Sequence, residues 1–438
     1  MPHLILNSTP VELPATDTNL LDWLRDRGLV ATKPGCRTGD CGACQVLVGD
    51  APAGEAVGYR VLNSCLLSTG LVADCHVVTL EGLAAEANPV QRALVEGRAI
   101  QCGYCTPGLV VALTGGLLAG VPPLAAVEGN LCRCTGYAGI RRAADTIEQI
   151  FPTLARTLAE AAELGLVSRP VAQAGQDLPQ LPAEDASDLA AVRFVAGNTD
   201  AALHPLGASD PRRPLRLRYL PGLRGITEDA DTISIGAAVT IAELAVNPLV
   251  RRAWPGLVDA LELFGSPAIR NAATVGGNLA NASSVADLAV LLLALDANVH
   301  LDGPEGRRVL PLTQFHLDYK RTALRPHELI VAVSVPANRD GTARLHFEKV
   351  ARRAHDDIAT VCSAMLVAAT TTRLSAGGVG PVPLLLSEPT DLAALPGQIS
   401  PIDDVRGTAD YRTRLLQHQV LAHLAALDAD FDPLRRLP

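Results

Sequence analysis

Ten cysteines occur in this 438-residue chain, and eight of them fall into two quartets within its first third. Cys36, Cys41 and Cys44 lie at x4 and x2 intervals inside Pro34-Gly35-Cys36-Arg37-Thr38-Gly39-Asp40-Cys41-Gly42-Ala43-Cys44, the spacing of plant-type [2Fe–2S] loops. Thiolates are the ligands such irons take. Gly35, Gly39 and Gly42 let the backbone fold closely and aim amide hydrogens at sulfur. The fourth ligand is open on spacing, because a returning strand reaches either Cys65 or Cys75. The second quartet is Cys102-x2-Cys105 followed by Cys132-x-Cys134. A zinc ribbon normally pairs two C-x2-C knuckles, so the lone Arg133 between Cys132 and Cys134 disfavours zinc while leaving it as the alternative. Both quartets point to electron transfer.

The elements that must hold these thiols can be read around them. Residues 1–82 begin with a strand at Leu4-Ile5-Leu6-Asn7, then a helix capped by Thr18 with Leu20, Leu21 and Leu24 on one face, ending at Gly28. The first cysteine loop follows, then a strand at Gln45-Val46-Leu47-Val48. This predicts a small mixed sheet with one helix, gripping a cluster at its loop. Residues 83–165 are helical, with Asn88-Pro89 and Thr106-Pro107 as starts and further helices over 122–130 and 138–151, predicting a four-helix unit. Cys105 immediately precedes a helix start, so its sulfur would feel that helix's positive end. Residues 168–188, with Pro170, Pro179 and Pro182, read as a linker.

Beyond the linker, a strand at Val192 to Ala196 runs into Gly197-Asn198-Thr199-Asp200, and a second loop reads Ala273-Thr274-Val275-Gly276-Gly277-Asn278. Both have the composition of phosphate-cradling loops. No G-x-G-x-x-G and no G-x-x-x-x-G-K-[ST] occurs, which disfavours a Rossmann domain and a P-loop. Leu288 to Leu295 reads as a buried helix or strand. Strands are predicted over 344–350, 360–369 and 371–375, then a Leu-rich helical tail. Lys349, Arg352 and Arg353 read as a solvated charged strand end, and Cys362 as a small buried hydrophobe.

The net charge is -9 without runs, which argues against nucleic acid or an anionic membrane as partner. No apolar stretch approaches the roughly 20 residues that span a bilayer. The start Met1-Pro2-His3-Leu4-Ile5 lacks the features of a signal peptide, so reduced thiols and a cytoplasmic location are expected.

Several motifs in order resemble the small subunits of bacterial xanthine dehydrogenases, within the molybdenum hydroxylase family. They are Gly39-Asp40-Cys41-Gly42-Ala43-Cys44, Asn63-Ser64-Cys65-Leu66, Gln101 to Gly108, Asn130 to Tyr137, Ile269 to Asn278 and Asp356-Asp357-Ile358-Ala359. The resemblance implies an α+β multidomain chain. Its parts are a β-grasp ferredoxin-like domain (1–82), a four-helix [2Fe–2S]-binding domain (83–165), a linker (166–190), an α/β FAD-binding domain of the molybdenum hydroxylase (PCMH-like) type (191–338) and an α+β C-terminal domain (339–438). It makes Cys65 the fourth ligand of the first cluster and Cys75 a bystander. It implies FAD contacts at Phe194, Val195, Ala196, Gly197, Asn198, Thr199, Asp200 and Ala201, at Thr274, Val275, Gly276, Gly277 and Asn278, and at Phe264, Asp287, Ile330 and Lys349.

By the same resemblance, Tyr319 and Asp356 lie near the nicotinamide site of NAD+. The molybdopterin domain of the family is missing from the sequence, so a separate large molybdopterin-binding subunit is expected, in a heterotetramer of two small and two large subunits. Electrons would pass from that partner to the second quartet, to the first, to FAD and on to NAD+ during purine hydroxylation. The alternatives are the equivalent subunit of an enzyme acting on another N-heterocycle or aldehyde, and a non-enzymatic metal-binding scaffold. The sequence departs from the family at Ser284, usually proline, and at Pro34, usually acidic.

Overall fold

The computed structural model describes residues 2–83, 88–152, 155, 157–181, 184, 192–204 and 212–427. The chain divides into two compact units, Met1–Pro221 with Ser266–Ala272, and Gly222–Gly265 with Ala273–Pro438. The expected domain limit at 190/191 lies outside the described residues. Among those residues no helix is long and apolar enough to cross a membrane.

The first unit starts as a five-stranded sheet built from β1 (His3–Leu6), β2 (Thr9–Glu12), β3 (Gln45–Asp50), β4 (Gly58–Asn63) and β5 (His76–Val78), in the order β2-β1-β5-β3-β4. Only β1 and β5 pair in parallel. Helix α1 (Leu20–Asp26) packs Leu20 and Leu24 into the core formed by Leu4, Val46, Val48 and Val77. Its cap is Asn19 rather than Thr18: Asn19 Oδ1 accepts from the amides of Leu21 and Asp22, while the Thr18 amide donates to Thr69 Oγ1. A second polar knot holds the sheet's far edge. Asp50 is buried between Arg60 at 2.7 Å, Arg218 at 3.2 Å and the Tyr219 hydroxyl at 2.7 Å.

Helices α2 (Leu80–Leu83), α3 (Pro89–Glu96), α4 (Thr106–Ala119), α5 (Pro123–Ala126) and α6 (Ala138–Ile150) follow, and α4 lies across β3 and β4. Asn88 caps α3 as the sequence suggests, but the cap position of α4 falls on Cys105, one residue before Thr106. The helix expected over 122–130 stops at Ala126. Glu128 and Asn130 take part in turn bonds instead, which releases the Asn130 side chain to the first cysteine loop. The stretch read as linker also changes: after α7 (Leu158–Glu163) it forms α8 (Arg169–Gln176), which buries Val171 and Ala172 in the helical core. Pro170 does not break this helix, because in a first helical turn the missing amide hydrogen is not needed. Residues 182–183 and 185–190 of that stretch lie outside the described residues. The unit closes with β6 (Val192–Val195) and β7 (Arg213–Arg216), a parallel pair, and the short helix Pro267–Arg270.

The second unit holds two antiparallel sheets. One is β11-β10-β14-β9-β8, made from β8 (Ile226–Glu228), β9 (Thr232–Gly236), β10 (Asn298–Asp302), β11 (Arg308–Pro311) and β14 (Leu329–Pro336). A small ribbon, β12 (His316–Asp318) with β13 (Arg321–Thr322), stands beside them in sequence. The other sheet is β15 (Arg344–Val350), β16 (Val361–Val367), β17 (Thr372–Gly377) and β18 (Leu384–Leu386) in chain order. Alternation along β16 divides its faces. Cys362 and Ala364 face helix Asp287–Ala294, whereas Val361, Ser363 and Met365 face helix Ala409–Leu427. The apolar run near 288–295 is therefore a helix, buried on all sides.

Under helix Ala409–Leu427 lies a polar chain. His346 Nδ1 meets His423 Nδ1 at 2.8 Å, His423 Nε2 meets Ser363 Oγ at 2.9 Å, and Ser363 Oγ donates to Gln419 Oε1 at 2.8 Å. Burial, with His346 adding to it, pushes His423 down to about 3. The buried ring stays neutral while the unfolded chain takes up a proton below about pH 6.5. The contribution of His423 is complete above that pH and is lost as pH falls toward 3. Expected in thermal melts is a loss of up to about 1.4 kcal/mol per pH unit across that window, flattened by His423→Gln. An unchanged slope in the variant would contradict the assignment.

Candidate functional site

The first cysteine loop is shaped by its glycines. A Cβ at Gly35 would stand 2.4 Å from Cys41 Sγ, and Gly39 and Gly42 have φ of +89° and +67°. Backbone amides point at sulfur: Cys36 N–H to Cys41 Sγ and Thr38 N–H to Cys36 Sγ, both 3.3 Å. Asn63 Nδ2 donates to the Gly39 carbonyl at 2.9 Å, Ser64 Oγ to the Cys44 carbonyl at 2.7 Å, and Asn19 Nδ2 to the Cys65 carbonyl at 2.8 Å. These bonds bring Cys65 to Cys44. Cys75 instead lies in the sheet core beside the Tyr219 hydroxyl at 3.8 Å.

The thiols of both quartets come in twos: Cys36 with Cys41, Cys44 with Cys65, Cys102 with Cys134 and Cys105 with Cys132. Among the described residues no three His, Cys, Asp or Glu side chains gather closely enough to share one ion. In each couple one sulfur is held toward thiolate and the other toward thiol. The hydrogen bond from Cys41 brings Cys36 down to about 4 and drives Cys41 up, and the bond between Cys65 and Cys44 does the same for that couple. Cys102 is lowered by the Tyr104 amide and by Cys134, which rises in return. Burial and then Cys132 push Cys105 up to about 12, against the positive end of α4. Cys132 is lowered: burial opposes this, and bonds from Thr135 and Cys105 outweigh it. Couples of sulfurs with amides aimed at them suit a binuclear iron–sulfur centre, in which each iron takes two thiolates.

The two loops touch. Leu131 N–H donates to the Cys41 carbonyl at 3.0 Å, Asn130 Nδ2 to the Gly42 carbonyl at 3.2 Å and to Gln45 Oε1 at 2.9 Å. Lys33 Nζ reaches the Gly103 carbonyl at 3.1 Å, and the Tyr104 hydroxyl reaches the Pro34 carbonyl at 2.8 Å. Neither Asn130 nor Asn19 was singled out from sequence, although Asn130 opens the motif that carries Cys132.

The expected flavin residues fall in both units, and each group is ordered locally. In the first unit Phe194 and Val195 end β6, and Ala196 to Ala201 turn out of it, with Asn198 at φ 58° and Asp200 beside His204 at 3.1 Å. In the second, Thr274 caps helix Val275–Asn281 by accepting from the Gly277 amide at 3.0 Å. Gly276 packs on Ala237, and Ile330 is buried in β14. Asn278 Oδ1 is buried without a hydrogen-bond partner, which fits a site built for a polar ligand.

Lys349 is no solvated strand end. Its Nζ donates to Asp287 Oδ2 at 2.6 Å and to the Leu263 carbonyl at 2.8 Å, next to half-buried Phe264. Arg352 and Arg353 are exposed as expected. Burial raises the Asp287 carboxyl against the pull of Lys349, and the Cys362 thiol bonds to it, so Cys362 is more than a hydrophobe. Tyr319, in the turn joining β12 and β13, is exposed, whereas Asp356 is buried in the connection from β15 to β16.

At Gly108 a Cβ would lie 2.1 Å from the Gly42 carbonyl oxygen. Gly108→Ala is expected to disturb the electron paramagnetic resonance signals of both clusters and lower bound iron, although it removes no thiol. Two unaltered signals with full iron would show that the loops tolerate separation.

Three family descriptions match the chain in order: a 2Fe-2S iron-sulfur cluster binding domain over 4–67, a [2Fe-2S] binding domain over 79–145, and an FAD binding domain in molybdopterin dehydrogenase over 177–338. The chain is 28% identical to a xanthine dehydrogenase of Emericella nidulans over 98% of its own length and 39% of the relative's. It is also 28% identical to an indole-3-acetaldehyde oxidase of Arabidopsis thaliana, over 82% and 32%. It thus spans 32% to 39% of these curated relatives. A chain of carbon monoxide dehydrogenase from Hydrogenophaga pseudoflava aligns with 53% of this chain and 87% of its own, at 28% identity and a TM-score of 0.49. With both cluster domains and the flavin domain in that succession, the chain belongs to the molybdenum hydroxylase family, as one of its iron–sulfur and FAD chains.

Proposed function

We propose that the chain is the electron-transfer subunit of a xanthine dehydrogenase, taking electrons from a molybdopterin-binding partner during purine hydroxylation and delivering them to NAD+. The observation that carries this is the direct hydrogen bonding of the two cysteine loops, Leu131 N–H to Cys41 C=O, which gives two redox centres one continuous backbone connection. Cys36, Cys41, Cys44 and Cys65 hold one [2Fe–2S] cluster, and Cys102, Cys105, Cys132 and Cys134 the other. Residues 194–201 and 274–278, with Phe264, Asp287, Ile330 and Lys349, hold FAD. When bound, the clusters carry single electrons and FAD converts pairs of them into a hydride for NAD+.

The protein's own groups prepare the sites. Amides of Cys36 and Thr38 aimed at sulfur stabilise negative charge there. The buried Lys349 to Asp287 pair fixes strand β15 against helix Asp287–Ala294 and, through Leu263, the segment bearing Phe264. Exposed Cys102 and Cys134 leave the second cluster open to a partner, and the large subunit docks there. Two copies of each subunit form the assembly, in the cytoplasm. The equal identity to an aldehyde oxidase supports a second reading, the same subunit serving another heterocycle or an aldehyde.

Co-purification of the tagged chain from its host decides between them. Iron, FAD, molybdenum and xanthine-dependent NAD+ reduction together support the first reading. Cofactors and molybdenum with activity on an aldehyde or another heterocycle alone transfer support to the second. For the acceptor site, Tyr319→Ala is expected to weaken NAD+ reduction several-fold and spare reduction of an artificial dye. Unaltered NAD+ kinetics would remove Tyr319 from that site.

A further inference from the structure

Within the first unit, one side chain joins the loop after Cys65 to the turn that leaves β6. Asn198 adopts φ 58°, a left-handed conformation that asparagine tolerates better than most residues. From there its Nδ2 donates to the Leu66 carbonyl at 2.8 Å, and Leu66 directly follows Cys65. The Asn198 carbonyl accepts from the Ala202 amide at 3.1 Å, closing the turn. Ala202 in turn packs against the buried cluster of Leu21, Cys44, Cys65 and Leu66.

The strand behind this turn is also tied down. Arg193 pairs with Asp17 at 3.0 Å, and Asp17 accepts from the Gly70 amide at 2.8 Å. The backbone after Cys65 is therefore gripped by two asparagine amides, Asn19 on the Cys65 carbonyl and Asn198 on the Leu66 carbonyl. Asn19 serves α1 as its cap. Asn198 has no such local duty to a helix, and its bond reaches across 132 positions of sequence.

We propose that Asn198 is the positioning residue that couples the first cluster to the flavin, an inference that rests on the reading above. Electronic coupling decays less steeply along covalent and hydrogen bonds than across a gap. The route runs from Cys65 Sγ through its own backbone to the Leu66 carbonyl, across the Asn198 hydrogen bond, and into the turn at 196–201. When both groups are bound, the cluster held by Cys36, Cys41, Cys44 and Cys65 would give up one electron at a time, one iron passing from ferrous to ferric, and the flavin would take up two with protons from water. The Asn198 side-chain amide acts on the Leu66 carbonyl, where it fixes the separation of the two sites and supplies the bonded crossing.

Two variants in the full chain, bound to its partner, test this. Asn198→Gly keeps the left-handed turn and removes the amide. Asn198→Asp keeps the shape and turns a carboxylate toward the Leu66 carbonyl. With FAD saturating, flash photoreduction of the flavin is followed at the visible band of the clusters, and the resonance line shape of the first cluster is recorded alongside. Expected is electron exchange per bound flavin slowed several-fold in both variants, with iron and line shape as in the unaltered protein. Unaltered exchange in both would overturn the proposal. Slowed exchange accompanied by a changed line shape of the first cluster would overturn it too, by assigning Asn198 a purely structural task. Failure of the reading beneath it is separate: an unaltered protein that takes up no FAD or iron.

Discussion

A peptide oxygen stands where a side chain would otherwise be. The carbonyl of Gly42 occupies the space that any Cβ on residue 108 would need, and Gly108 opens a helix that is buried along almost its whole length. Because α4 can come this close, Asn130 reaches the Gly42 carbonyl and the Leu131 amide reaches Cys41. The same helix repeats the device at Gly115, whose Cβ would fall 2.2 Å from Val61. Small residues at these positions set the separation of helix and sheet, and that separation sets the distance from one cysteine loop to the other.

Each quartet is asymmetric in its exposure. Cys44 and Cys65 are buried, Cys36 is exposed; Cys105 and Cys132 are half-buried, Cys102 and Cys134 exposed. The dry thiols face the protein's interior and the wet ones face outward, so each quartet has an inner and an outer side. A lower local dielectric strengthens every amide-to-sulfur bond on the inner side. The second unit applies the same economy to a charge pair: Asp287 and Lys349 are nearly desolvated together, and neither would be tolerated there alone.

Much of this was written in local patterns. Cysteine spacing announced both cysteine sites, the proline after Asn88 marked a helix start, and the strand-like run 344–350 marked β15, because each of these is decided within a few residues. What escaped depended on distant partners. Cys65 and Cys75 differ only in which neighbours a folded sheet gives them, so spacing left both open. Lys349 looks like a surface charge until Asp287, 62 positions away, is brought to it. Pro170 resembles a breaker when its neighbours are unknown, yet Val171 and Ala172 have a core to enter. Asn19 rather than Thr18 is the cap because the helix begins at Leu20, where only the residue just before it can reach the first free amides.

The short helix Pro267–Arg270 belongs to the first unit although it is encoded well inside the second. Ile269 lies against Gly39 of the first cysteine loop, and Asn271 bonds to the Val61 carbonyl and receives Arg60. On the ribosome, where compact units tend to fold as they emerge, the iron-binding half must therefore wait. Its last wall is synthesised only after residues 222–265 of the other half. The first half is completed only after the second has begun, and a single cut in the gene yields no pair of complete pieces.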